Sequence, residues 1–327
     1  MIVLYHYRYY LGLRTFEFGF IAVDGFFVLS GIVLAMKYTD AIAGGMTFRA
    51  FAEARLTRLY PMTFIAGVLI LVLNLEDVPG NLFMGANPTG LWTIFLLLVP
   101  KVGGLTTGAG AAFPADVPVW SLWAELFANA IWFAVIRAGK RWMPWLGGIT
   151  MLALVAVAWQ HDSLNIGWQN SLNMRAITLV RALAWFSIGY WIARTDVKPI
   201  GSPFVLTAAL AAVFVTFASG VPVSWYASLA TVALAAALLH ALYASPAPPP
   251  LISKLTRWLG LVSFPLYLVH GPAGRLLPYV ADAAPHWVVL LLLMVPVAVF
   301  ATMLNERVVR LLQRRTRKKA LVRSQAA

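Results

Sequence analysis

Apolar stretches follow one another along this chain at close to the length a bilayer demands of a helix, ~20 residues. They run at roughly 1–10, 17–36, 59–75, 119–136, 143–160, 175–194, 204–219, 224–243, 258–274 and 286–304. The pattern predicts an all-α fold, a polytopic transmembrane helical bundle of about ten spans with the first truncated. That first stretch, Met1-Ile2-Val3-Leu4-Tyr5-His6-Tyr7-Arg8, is too short to cross alone. It is therefore expected to be re-entrant, or to belong to a natural chain that begins further upstream. An eleventh candidate, 91–100, is also short and is flanked by Gly- and Pro-rich loops.

Basic residues settle how 91–100 is treated. If it does not cross, nineteen of the 25 lysines and arginines collect on one side, among them Lys37, Arg49, Arg55, Arg58, Arg137, Arg194 and the eight basic residues from Arg307 to Arg323. If it does cross, the later basic loops fall opposite the 37–58 loop, against the excess of Lys and Arg that cytoplasmic loops carry. Ten crossings place the protein in the cell inner (plasma) membrane with both termini cytoplasmic. A long outer loop then spans Glu76 to Pro118, and a transmembrane domain over 1–306 is followed by a basic cytoplasmic tail over 307–327.

Composition narrows the class further. Residues of hydrophobic type make up 61% of the chain and charged ones only 11%, with a mean hydropathy of +0.79, whereas a soluble domain is about a quarter charged. The net charge of +13 is explained by topology, so no nucleic-acid partner is expected. The absence of cysteine excludes disulfides, thiolate metal sites and a cysteine nucleophile.

Against this background the ionisable residues inside spans stand out, because a charge in hydrocarbon is costly unless it faces a partner or a wet cavity. At ~1.5 Å per helical residue, Asp24, Glu125 and Arg181 each lie on the order of 10 Å below the outer end of their spans. His6 and His270 lie nearer the outer ends of theirs. The expectation is one polar layer from five helices. Each member also has a plainer reading: Arg181 neutralises Asp24 or Glu125 in a structural pair, Ser121 and Glu125 at i and i+4 form a local pair, Trp120 anchors at the interface, and His270 is a packed helix-end histidine. For His6 function is favoured, since an imidazole beside buried carboxylates can be held in one tautomer for proton transfer. Arg55 and Arg58, at i and i+3, share a helix face and are suited to binding phosphates or simply to anchoring.

Taken together, the motifs resemble the acyltransferase-3 family of integral membrane acyltransferases. Leu4-Tyr5-His6-Tyr7 resembles the histidine-bearing end of its first helix, and Val23-Asp24 through Ser30-Gly31 its Asp-Phe-Phe-Val-Leu-Ser-Gly block. Arg55-Leu56-Thr57-Arg58 with Tyr60-Pro61 is similar to its Arg-x-x-Arg element, and Pro118-Val119-Trp120-Ser121-Leu122-Trp123-Ala124-Glu125 to its Trp-Ser-Leu-x-x-Glu element. Phe264-Pro265-Leu266-Tyr267-Leu268-Val269-His270 adds the late Tyr-Leu-x-His signature. Two departures are visible. The arginine that the family carries upstream of the histidine has no counterpart before Met1, and the sequence ends in a basic run in the manner of stand-alone members without a serine-hydrolase-like extracellular domain.

The resemblance implies an O-acyltransferase that takes a short acyl group, acetyl by family analogy, from cytoplasmic acyl-CoA. The implied acceptor is a hydroxyl of a surface carbohydrate or another exported molecule. It further implies His6 as general base or acyl carrier, Asp24 or Glu125 as its orienting carboxylate, Ser121, Arg181 or a backbone amide as the oxyanion stabiliser, and Arg55 and Arg58 as the donor's phosphate ligands. Trp120, Tyr267 and His270 are the expected substrate-binding residues. Acyl-CoA enters as donor substrate; no bound cofactor or metal is expected. The main rival is a proton-coupled secondary transporter using the same intramembrane Asp, Glu, His and Arg, against which stands the lack of a visible internal repeat.

Overall fold

A computed structural model describes residues 2–74, 113, 118–167, 169, 171–195, 208, 211–216, 223–245, 250–274, 276 and 285–325. The described residues are almost entirely helical: α1 (Ile2–Tyr7), a 3-10 turn (Glu17–Ile21), α2 (Ala22–Ala43), α3 (Phe48–Asn74), α4 (Val119–Ala138), α5 (Met143–His161), α6 (Leu172–Arg194), α7 (Trp225–Tyr243), α8 (Pro250–Gly274) and α9 (His286–Gln325). Six stretches among them are long and apolar enough to cross a membrane, namely Glu17–Ala43, Val119–Ala138, Lys140–His161, Leu172–Arg194, Trp225–Tyr243 and His286–Leu312. The protein is thus an all-α helical membrane bundle.

The predicted spans at 59–75 and 258–274 fall in α3 and α8, both of which begin earlier than hydropathy suggests. The stretch 91–100 lies outside the described residues, as does most of 204–219. Residue 306 lies inside α9, which runs on without a break to Gln325.

Local signals explain the helix ends. Ser171 accepts a hydrogen bond from the Met174 amide at 3.1 Å, and Ser224 accepts one from that of Ala227 at 3.3 Å. These are N-caps that satisfy donors a helix start leaves orphaned. Pro144 occupies the first turn of α5, where its missing N–H costs nothing. Interior prolines at 61, 265, 272 and 296 suit membrane helices, where neighbours re-satisfy the freed carbonyls.

The chain divides into two compact units, one formed by residues 1–48, 102–112 and 120–248, the other by 49–101, 113–119 and 249–327. In the first, α2 and α6 form the centre and pack along their length. Phe27, Val28, Leu34 and Ala35 of α2 and Ala182, Ala184, Trp185 and Phe186 of α6 are buried. At the periphery, α5 turns Trp145, Ile149, Leu152 and Trp159 outward, the arrangement expected where the solvent is lipid.

Two glycines set the spacing of α2 and α6. A Cβ at Gly31 would overlap the Phe186 backbone carbonyl, and one at Gly189 would overlap that of Val28. Each helix thus offers a gap into which the other's backbone settles, the device by which small residues let membrane helices approach. Gly31→Val or Gly189→Val is expected to force the pair apart and to cost ~1–3 kcal/mol or more. Gly25→Ala, where a Cβ meets nothing within 4 Å, should be neutral. Thermal unfolding in detergent checks this; equal midpoints for Gly31→Val and Gly25→Ala would refute the reciprocal contact.

Contacts along α2 also fix direction. Phe27 meets Trp120, Ser30 meets Glu125 and Ile42 meets Arg137, so α4 runs parallel to α2. Asp24 meets Arg181 and Ala35 meets Arg194, so α6 is parallel as well. The three C-terminal ends gather on Asp40, which accepts from Lys140 Nζ at 2.7 Å and from Arg194 Nη2 at 3.3 Å, while Arg137 Nη1 donates to the Ile42 carbonyl at 3.3 Å. Cations there complement the partial negative charge of the helix ends.

The second unit contains α3 from Arg49 onward, α8 and α9. Within it α8 packs on α9, with Tyr267, Leu268, Val269 and Ala273 of α8 and Val289, Leu290, Met294 and Ala298 of α9 buried.

Candidate active site

The centre of the first unit holds a fully buried ion pair. Arg181 Nε and Nη2 each donate to one oxygen of Asp24 at 2.6 Å, and the two side chains are 1% and 0% exposed. Nη1 donates to the backbone carbonyl of Ile166 at 2.8 Å. A guanidinium fork meeting a carboxylate bidentately gives the strongest geometry such a pair can take. The Ile166 carbonyl fixes the third edge and so leaves the arginine one orientation.

That carbonyl is itself held in place. Gly167, at φ +104°, accepts from Thr178 Oγ1 at 2.6 Å through its carbonyl. Its positive φ suits glycine, and a Cβ there would run into the Thr178 hydroxyl. Thr178 lies one turn before Arg181 on α6, so the loop is tied to the helix that carries the arginine.

Trp120, 9% exposed, covers the pair. Its ring lies 5.5 Å from the Arg181 guanidinium carbon and meets Phe27 edge-on with centroids 6.4 Å apart. It therefore packs against a charged core group. Further along the same helix, Glu125 Oε1 accepts from Ser30 Oγ at 3.0 Å, and Ser121 is buried at 6% exposure.

The predicted single layer resolves into two levels. Asp24 pairs with Arg181 and Glu125 with Ser30, and six residues of α2 separate Asp24 from Ser30, ~9 Å along the axis. The two carboxylates thus have different partners. Of the two, the structure engages both oxygens of Asp24 with Arg181, the geometry of the structural-pair reading.

His6 lies on α1, a six-residue helix with no buried residue, and is itself exposed. Its ring meets that of Tyr5 edge-on with centroids 5.1 Å apart. Tyr5 Oη accepts from Asn165 Nδ2 at 2.8 Å, and Asn165 directly precedes Ile166. A short segment of loop therefore touches both the tyrosine next to His6 and the arginine that holds Asp24. Nothing in the sequence pattern pointed to Asn165 or to the Ile166 carbonyl, since a backbone acceptor leaves no trace in residue type.

The remaining candidates belong to the second unit. Arg55 is buried at 3% exposure while Arg58 is exposed, so two arginines one turn apart on α3 meet different surroundings. Tyr267 is buried, and its hydroxyl donates to the Pro118 carbonyl at 3.0 Å. His270, 1% exposed, has Nδ1 2.6 Å from the Tyr267 carbonyl. A carbonyl only accepts, so Nδ1 carries the proton.

A helical membrane bundle with a covered ion pair and a polar face on the adjoining helix defines an integral membrane protein with a built interior site. Residues 1–304 match the acyltransferase-3 family model, described as an acyltransferase domain, and the chain belongs to this family. Among curated proteins it is similar to "Protein 2 in picA locus" of Rhizobium radiobacter, 36% identical over 124 residues, which are 35% of this chain and 64% of that protein. The match thus spans a little less than two thirds of that relative's length. No solved structure matches.

Proposed function

We propose that the protein is an integral membrane O-acyltransferase that moves a short acyl group, acetyl in the simplest case, from acyl-CoA to a hydroxyl of a surface carbohydrate or another exported acceptor. The observation that carries this reading is the family match over 1–304, which includes all of the motif residues.

In the proposed reaction His6 removes the proton of the acceptor hydroxyl as its oxygen attacks the thioester carbonyl carbon. The tetrahedral intermediate collapses with cleavage of the carbon–sulfur bond, and the imidazolium returns its proton to the departing thiolate, giving free CoA and the acyl ester. In the two-step alternative His6 first carries the acyl group itself. Glu125 orients the imidazole and favours its protonated form, with Ser121 or a backbone amide donating to the oxyanion. The Asp24–Arg181 pair, under Trp120, holds α2 and α6 in register for this.

Sidedness is part of the same proposal. The cluster of Arg137, Lys140 and Arg194 about Asp40 marks the cytoplasmic end by the positive-inside bias, in the inner membrane, with both termini cytoplasmic. Arg55 and Arg58 take the phosphates of the donor, while Tyr267 and His270 serve the acceptor. Each charge-assisted phosphate contact is worth ~1.5–3 kcal/mol. Glutamine at Arg55 or Arg58 is therefore expected to raise the KM for acyl-CoA about tenfold or more and to leave the acceptor KM unchanged. An unchanged donor KM in the double variant would assign these arginines to anchoring.

The function itself is tested on detergent-purified protein. Radiolabelled acetyl-CoA should pass label to a surface-glycan extract; no transfer, together with solute flux driven by a pH gradient in vesicles, would favour a proton-coupled transporter.

A further inference from the structure

On α4 the residues Ser121, Glu125 and Asn129 recur every fourth position and share one face of the helix. Ser121 is 6% and Asn129 2% exposed, and Glu125 accepts from Ser30. Asn129 is the exception in its bonding. Both its Nδ2 and its Oδ1 are buried without a hydrogen-bond partner, flanked by Ala128 and Trp132, which are fully enclosed. A carboxamide offers two donors and two acceptor sites, and buried polar groups are nearly always paired. Leaving one bare destabilises a fold that leucine, of similar size, would serve better. Such a local disadvantage is where function is expected to be found.

We infer that the Asn129 side chain is a subsite for the first amide of the acyl donor's pantetheine arm. This inference rests on the acyl-CoA reading above. A secondary amide presents one N–H and one C=O, the complement of what Asn129 presents. In an acyl-CoA the first such amide begins three bonds from the thioester sulfur. Asn129 lies one helical turn, ~6 Å, from Glu125, on the side towards Arg137 and the basic helix ends. A donor that enters from those ends and brings its thioester to the level of Glu125 therefore passes its first amide at the level of Asn129. The remaining unpartnered groups carry less. Thr39 and Ser228 bear hydroxyls, which can turn to a carbonyl of their own helix, and Lys140 and Arg194 are paired with Asp40.

The test uses the full chain in detergent and three probes: CoA, pantetheine, which has the arm without the nucleotide, and adenosine 3′,5′-bisphosphate, which has the phosphates without the arm. Binding is measured by calorimetry, and thermal unfolding is followed without ligand. Asn129→Leu is expected to weaken CoA and pantetheine about tenfold or more, to leave the bisphosphate unchanged, and to unfold at the wild-type temperature or above. Asn129→Gln, which keeps the amide, should retain more of the affinity than Asn129→Leu. Undiminished binding of CoA and pantetheine by Asn129→Leu overturns the inference alone, as does equal weakening of all three probes. Wild-type protein that binds none of the three overturns the donor reading, and the inference with it.

Discussion

Replacing His6 by alanine is expected to lower the rate of acyl transfer ~10²–10⁴-fold, the range a positioned general base supplies, while membrane insertion and thermal stability stay close to wild type. The stability half of this expectation comes from the structure: α1 buries none of its residues, so deleting an imidazole there opens no cavity. The activity half comes from the motif and from chemistry. His6 sits in a block similar to the family's catalytic helix, and a hydroxyl is a poor nucleophile until its proton is taken. Single-turnover transfer from acetyl-CoA, alongside unfolding of the same preparation, reads both quantities. A stable His6→Ala protein with full activity would move the base elsewhere.

The second large effect concerns stability. Arg181→Met should destabilise the protein by ~3–5 kcal/mol, because it leaves Asp24 as an uncompensated charge at a fully buried site. Asp24→Leu combined with Arg181→Met should recover most of that loss, since replacing both members of a buried pair by apolar groups of similar size is often neutral or better. The double variant separates two roles that the single ones confound. If it is stable and active, the pair only joins α2 to α6. If it is stable and its kcat falls while the donor KM holds, the charges act in the transition state. Recovery of neither stability nor activity would mean that the bidentate pair is not an isolated unit.

Class and motifs were legible in the sequence because they depend on local composition. A bilayer requires ~20 apolar residues per helix and internal satisfaction of every backbone group, so most spans could be read from the run lengths, and α4 to α7 begin within three residues of where hydropathy places them. Starts before the apolar run were missed in α3 and α8. Their first turns, Phe48 to Arg58 and Pro250 to Arg257, are polar enough to read as loop, yet they continue the helix. Hydropathy detects the hydrocarbon and not the helix.

Partners are another matter. That Asp24 pairs with Arg181, 157 residues away, and Glu125 with Ser30, 95 away, depends on how α2, α4 and α6 are rotated about their axes. An amphipathic helix announces its inward face by a polar stripe opposite. In α2 apolar residues cover nearly the whole circumference, so hydropathy leaves its rotation open, and depth alone put Asp24 and Glu125 in one layer. Tertiary packing separates them into two levels. It does so through Gly31 and Gly189, whose sequence neighbours do not distinguish them from Gly25, and through the Ile166 carbonyl, which any residue would have provided. What this chain determined by itself, therefore, is the solvent it folds in, its helices and the chemical groups it carries into the membrane; which of those groups meet was decided by close backbone approach, a property of two helices together and of neither sequence alone.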